Sequence, residues 1–222
     1  MQISKLVCEH DTRIWRIVDH HADIAYKKKS YSEVVSIGCD ETSIRKGHHY
    51  VTIFANMDNG EVMFAVKGKD SGTMKALAEK HEAVPEQIKE IAIDMSPSFI
   101  IGVNEHFSNA NITFDKFHVI QALNNAQDEV RRMEHKENPL LTGSGYILLK
   151  NPASLTVKQK GQLAALRNEN LKTAKSYQMK LTFQDIYRNI YDPISAETAI
   201  KKCLSLAVRS GLERIKCFAK MV

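Results

Sequence analysis

Three short apolar runs in this chain close on aspartate: Val35-Ser36-Ile37-Gly38-Cys39-Asp40, Ile91-Ala92-Ile93-Asp94 and Ile112-Thr113-Phe114-Asp115. Aspartate is a poor strand former, so its recurrence at the end of strand-like runs asks for a reason. If the three runs are parallel neighbours, their carboxyl ends share one edge of a sheet, where the ligand sites of open α/β sheets gather. Carboxylates crowded there repel one another unless a cation lies between them. Hard oxygen donors suit Mg²⁺ or Mn²⁺. A pair of such ions serves phosphodiester chemistry by activating a water or 3′-hydroxyl and stabilising the leaving oxygen. A second reading stays open: Asp40 before Glu41-Thr42 and Asp94 before Ser96-Pro97 also suit a turn and a helix cap.

His118 follows Asp115 by three positions, at the expected strand-to-helix junction, where the pair could face one another as an orienting contact. His48-His49 beside Arg45-Lys46-Gly47 could touch phosphate or form an ordinary loop. Ser43 has no His-Asp partner motif, which argues against nucleophilic serine catalysis. No GxGxxG or GxxxxGK[ST] phosphate loop is present, which argues against a dinucleotide enzyme or a P-loop NTPase.

These groups need elements to hold them. Residues 5–27 read as a helix, with Leu6, Trp15, Ile17, Val18, Ile24 and Ala25 near helical spacing and a break at His10-Asp11. Lys27 to Ser30 reads as an exposed link. Strands are expected at 34–40, 49–56 and 61–66, joined as a meander through the Asp58-Asn59-Gly60 turn. Thr73 to His81 reads as a helix, 91–94 as a strand, Ser96-Pro97 as a helix start, and 111–115 as a fifth strand. The order β-β-β-α-β-α-β calls for parallel strands with crossover helices in its second part.

Beyond residue 115 helices dominate. Val119, Leu123, Ala126, Val130 and Met133 form one apolar stripe. Tyr146 to Leu149 is the one short run that could be extended. Thr156 can cap a helical stretch to about Ile190 that could break once along its length, Ser195 can cap a helix bearing Ala199, Cys203 and Leu206, and Leu212, Ile215 and Phe218 mark a last segment.

Composition agrees with a globular chain: of 222 residues 43% are hydrophobic and 26% charged. No stretch has the roughly 20 apolar residues of a membrane span, and no secretory signal opens the chain. The four cysteines (Cys8, Cys39, Cys203, Cys217) form no CxxC pair and read as reduced, mostly buried thiols of a cytoplasmic protein. Residues 1–118 carry net charge −3 and residues 119–222 carry +8. The basic half is either the footprint of a polyanion or a set of solvated helix faces.

The residue blocks themselves carry a resemblance. Gly38-Cys39-Asp40-Glu41-Thr42-Ser43 with Lys46-Gly47-His48, Ile93-Asp94-Met95-Ser96-Pro97, Phe114-Asp115-Lys116-Phe117-His118-Val119, the Asn124–Arg132 stretch and Leu148-Leu149-Lys150-Asn151-Pro152 together resemble the ISL-three family of insertion-sequence transposases. The resemblance implies an α/β ribonuclease-H-like mixed sheet followed by a mainly helical insertion. It implies a DDE catalytic site with Asp40 and Asp94 as catalytic and metal-holding acids, Asp115 and His118 in support, and Mg²⁺ or Mn²⁺ as cofactor. It implies DNA as partner, at transposon ends and target, with self-association of the full-length protein. The corresponding organisation is a helical segment at 1–30 left from a DNA-binding region, a core at 31–118, and a basic insertion at 119–222. No residue here matches the third acid; Glu197 and Glu213 fall within the insertion. The expectation is a core fragment that is inactive alone. The alternatives are another ribonuclease-H-like nuclease, such as a junction resolvase, and a non-catalytic DNA-binding helical module.

Overall fold

The computed structural model describes residues 2–28, 30–80 and 85–222. The chain divides into two compact units, residues 1–92 with 98–113 and residues 93–97 with 114–222. Among the described residues no helix is long and apolar enough to cross a membrane.

In the first unit, α1 (Gln2–Val7) and α2 (Asp11–Lys27) are separated at the expected break, where the His10 side chain accepts from the Thr12 N–H and caps α2. Most apolar residues along them, Trp15 and Val18 among them, are exposed, Ile14 is half-buried, and no α2 residue is buried. Strands β1 (Ser36–Arg45), β2 (His49–Asn56) and β3 (Val62–Lys67) form the meander. Helix α3 (Gly72–Lys80), β4 (Glu90–Ile93), α4 (Pro97–His106) and β5 (Asn111–Phe114) follow. Lys29 of the expected link and His81 at the expected end of α3 lie outside the described residues. The sheet order is β3-β2-β1-β4-β5, with β1–β2 and β2–β3 antiparallel and β1–β4 parallel. This is the ribonuclease-H-like mixed sheet expected, and the helical part follows it.

One expectation fails informatively. The first strand does not stop at Asp40: β1 runs on to Arg45, and Asp40 pairs with Ile53. The reason is its antiparallel partner, which supplies ladder hydrogen bonds to offset the poor strand propensity of Asp. Burial along β1 alternates up to Cys39 and then gives way to a mostly exposed arm. That arm turns through Gly47 and His48, both at positive φ (98° and 63°).

Close approach sets the place of α4. A Cβ at Gly102 would lie 2.8 Å from Met74 Cγ and 3.1 Å from the Ser71 carbonyl oxygen. Gly102→Ala is therefore expected to destabilise the first unit by about 1–3 kcal/mol through overpacking, read as a lower urea midpoint.

The second unit holds α5 (Lys116–His135), α6 (Gly145–Leu149), α7 (Val157–Asn168), α8 (Lys172–Asn189), α9 (Pro193–Val208) and α10 (Glu213–Met221). Val119, Leu123, Ala126 and Val130 of α5 join Phe183, Ile186, Cys203, Ala207, Ile215 and Phe218 in one core. Met133 does not, being 57% exposed. The last turn of α5 instead spends Glu134, whose two carboxylate oxygens accept from the Lys172 and Thr173 N–H groups and cap α8. Leu206 is exposed too, and Ala207 takes the inward place one turn beyond Cys203. Tyr146 to Leu149 is helical, not extended. Its adjacent Ile147 and Leu148 are both buried, which a strand with alternating faces does not allow. Asp192, not Ser195, caps α9: its Oδ2 accepts from the Ser195 N–H, and Pro193 occupies the first turn, where no N–H is needed.

The thiols divide evenly. Cys39 and Cys203 are buried, while Cys8 and Cys217 are exposed, so the expectation of mostly buried thiols fails. Cys8 follows the short α1 at a φ of 54°, and Cys217 lies on the outer face of α10. Part of the basic excess is spent locally. Arg131 and Arg132 each reach Asp128 at 2.7 Å, and Arg214 reaches Glu129 at 2.9 Å. Burial alone would raise the Asp128 carboxyl, but hydrogen bonds and charge from the two arginines outweigh it and hold it below the usual carboxylate range.

Candidate functional site

Asp40 lies in the first unit and Asp94, Asp115 and His118 in the second. Within the first unit, parallel pairing of β1 and β4 runs from Ser36↔Glu90 to Gly38↔Ala92. Asp40 and Asp94 each follow that last pair by two residues along their own chain segments.

Each aspartate has a local backbone role. Asp40 Oδ1 accepts from the Glu41 N–H at 2.8 Å. Asp94 Oδ1 accepts from the Ser96 N–H at 2.9 Å, shaping the turn before Pro97. Asp115 Oδ1 accepts from the Phe117 N–H at 2.9 Å and caps α5. The turn-and-cap reading thus holds for Asp94, which shapes a turn, and Asp115 caps a helix, whereas Asp40 lies within β1 and bonds only the next residue's N–H among these backbone contacts.

The second unit brings several of these groups together. The Asp115 N–H donates to the Ile93 carbonyl at 2.8 Å, which ties the segment before Asp94 to the start of α5. His118 Nε2 stands 3.8 Å from Asp115 Oδ2. His118 and Asp94 line one open cleft of about 270 Å³, with Ser96, Gln121 and Asn125. Asp115 does not line it and reaches it through His118. Such a cleft offers a carboxylate, an imidazole and two amides, able to hold a cation and to position a hydroxyl or phosphate oxygen.

Gln121 and Asn125 did not stand out in the sequence. Their signal is helical: His118, Gln121 and Asn125 step by three and four along α5, a polar stripe beside the apolar one. Among the described residues, no group of three or more His, Cys, Asp or Glu side chains is gathered closely enough to hold a metal.

Residues 37–222 match the model of a family described as Transposase, of the ISL-three DDE type. The transposase for insertion sequence element IS1001 of Bordetella parapertussis is 24% identical over 204 residues, covering 87% of this chain and 50% of that protein. The transposase for insertion sequence element IS1557 of Mycobacterium tuberculosis is 24% identical over 218 residues, covering 82% of this chain and 48% of that protein. The chain spans about half the length of the curated relatives it matches.

Proposed function

The chain belongs to the ISL-three family of transposases, and from that premise we propose that it supplies two of the acids with which such an enzyme cuts DNA at insertion-sequence ends and joins them to a target. The family match carries the reading, since it runs from residue 37 through Asp40, Asp94, Asp115 and His118.

The donor set fits a hard divalent cation. Asp40 and Asp94 would hold Mg²⁺ or Mn²⁺ through carboxylate oxygens. When bound, such ions would activate the attacking water or 3′-hydroxyl and stabilise the leaving oxygen. The chain's own groups do the positioning. Ser96 N–H fixes the Asp94 carboxylate, and Asp115 orients His118 at the same cleft. His118→Ala is expected to weaken Mn²⁺ binding by about 10-fold, with partial recovery in His118→Gln. Calorimetric titration checks this, and an unchanged affinity would leave His118 a structural residue.

The core is assigned to 31–118, the basic helical part at 119–222 to DNA contact, and the segment 1–30 to the tail of a DNA-binding region. The full-length enzyme would work as a multimer on transposon-end and target DNA in the cytoplasm. Two acids are assigned here and no third, so the 222-residue chain should hold metal weakly and not nick DNA alone. Nicking of plasmid DNA that disappears in Asp40→Asn would overturn that. In the full-length enzyme, transposon ends with free 3′-hydroxyls should become joined to a second duplex. Hydrolysis without joined product would point to a ribonuclease-H-like nuclease instead.

A further inference from the structure

We propose that a cleft at the exposed end of the β1–β2–β3 meander binds the phosphate backbone of duplex DNA, a subsite that rests on the reading of this chain as a DNA transposase. The cleft measures about 640 Å³ and is lined by Arg45, His48, His49, Tyr50, Lys67 and Lys69. It lies wholly within the first unit.

The topology gathers these residues from separate stretches of chain. Arg45 ends β1 and pairs with His49 at the start of β2. Lys67 ends β3 and pairs with Val51 of β2. Lys46 follows Arg45 and is exposed, as are Arg45, Lys67 and Lys69. Three cations thus line one end of the three strands, with Lys46 next to them in the chain, while residues 1–118 as a whole carry net charge −3. Cations that merely solvate a surface need no such convergence on a concavity. Among the described residues no ion pair engages Arg45, Lys67 or Lys69, unlike the arginines at Asp128. Asp70 is the one carboxylate on the wall of the cleft.

Two further features build the site. Lys69 Nζ lies 3.9 Å from the centroid of the Tyr50 ring, which holds the ammonium against the wall by a cation–π contact. His48 sits at a φ of 63° after Gly47 at 98°. Positive φ at both residues is what the tight β1–β2 turn requires, and that turn places His48 on the wall of the cleft.

The spacing selects the ligand. Strands β1 and β3 flank β2, so Arg45 and Lys67 stand on strands about 10 Å apart. Long side chains on strands that far apart can each meet a different phosphate of one nucleic-acid backbone. Asp40 lies five residues before Arg45 on the same strand, or about 17 Å along it. Backbone gripped at the cleft would therefore lie about five base-pair steps from the aspartate.

The test is fluorescence anisotropy with a labelled 30-base-pair duplex of arbitrary sequence, titrated between 50 and 200 mM salt. Lys67→Ala/Lys69→Ala is compared with Lys75→Ala/Lys89→Ala, an equal charge change at exposed first-unit positions outside the cleft. The cleft variant is expected to bind at least about 10-fold more weakly and to flatten the slope of log affinity against log salt by about 1.8. The control pair should leave the slope near wild type. Asp70→Asn should bind more tightly than wild type, a gain that misfolding cannot mimic. Equal losses in the two pairs, an unchanged slope in the cleft pair, or a wild type that does not bind the duplex would each overturn the proposal. None of these touches the Asp94-dependent Mn²⁺ binding on which the transposase reading is judged. Mn²⁺ binding that does not depend on Asp94, with the slope change intact, would leave the DNA-binding cleft standing and overturn the metal-site reading instead.

Discussion

Asp94→Asn is expected to lower Mn²⁺ affinity by at least about 100-fold while leaving the fold intact. The substitution separates the turn contact that the structure shows for this carboxylate from the cation contact proposed for it. Asn keeps a side-chain oxygen, so it still accepts the Ser96 N–H that shapes the turn before α4. What it loses is the negative charge and one hard oxygen donor, which a divalent cation requires. Outer partners of metal sites are worth about 10–100-fold in affinity, so a direct ligand should exceed that range. Asp94→Ala removes both roles and should add a loss of stability of about 1 kcal/mol. Asp40→Asn should behave like Asp94→Asn, since its oxygen still accepts the Glu41 N–H. Calorimetric titration beside thermal melts of each variant reads the two roles apart. If Asp94→Asn binds Mn²⁺ as well as wild type does, the carboxylate is a turn residue alone.

The second large effect concerns Lys180, which is 1% exposed in the second unit. Its Nζ donates to the Leu148 carbonyl at 2.6 Å and to the Leu149 carbonyl at 3.4 Å, closing the end of α6. Burial penalises the ammonium and pulls its pKa from the ordinary 10.5 down to about 8. Between these values the unfolded chain binds more protons than the folded one, so stability rises as pH rises from about 8 to 10.5. The gain is up to about 3 kcal/mol. Tyr177, Tyr187 and Cys203, all pushed up by burial, act in the opposite sense in alkali. The readout is therefore the stability difference between wild type and Lys180→Met, from urea unfolding across this range, in which the contributions of Tyr187 and Cys203 cancel. The difference should grow in favour of wild type with rising pH. A difference that stays flat would mean that the ammonium is not shielded from water.

Short-range pattern made much of this fold legible. The hairpin pair Asn59-Gly60, the N-cap position before Pro97 and the steps of four and three along α5 are all local signals, and the elements they mark are present. The errors have a common cause. Asp40 was expected to end its strand because its own propensity is poor, yet pairing with Ile53 on β2 carries the strand to Arg45. Tyr146 to Leu149 is too short for periodicity to tell helix from strand, and burial of two adjacent residues decides it. Met133 and Leu206 continue their apolar stripes in sequence, but the core does not reach them.

The site divides in the same way. Residue type and local order sufficed to single out Asp40, Asp94, Asp115 and His118, because a carboxylate at a strand end and an Asp-x-x-His junction are visible within a few positions. Gln121 and Asn125 emerged only when α5 was set beside the segment after β4. The basic cleft needed β1, β2 and β3 to bring residue 45 next to residues 67 and 69. The Lys180 contact with Leu148 and the Glu134 cap on α8 span 32 and 38 residues of chain. By itself the sequence determined the order and kind of the elements and the residues able to do chemistry, since propensity, capping and periodicity act within a turn or two. Only the tertiary structure decided which of those residues share a surface and which charge is buried, since contacts between distant segments depend on pairing register and packing that no local pattern contains.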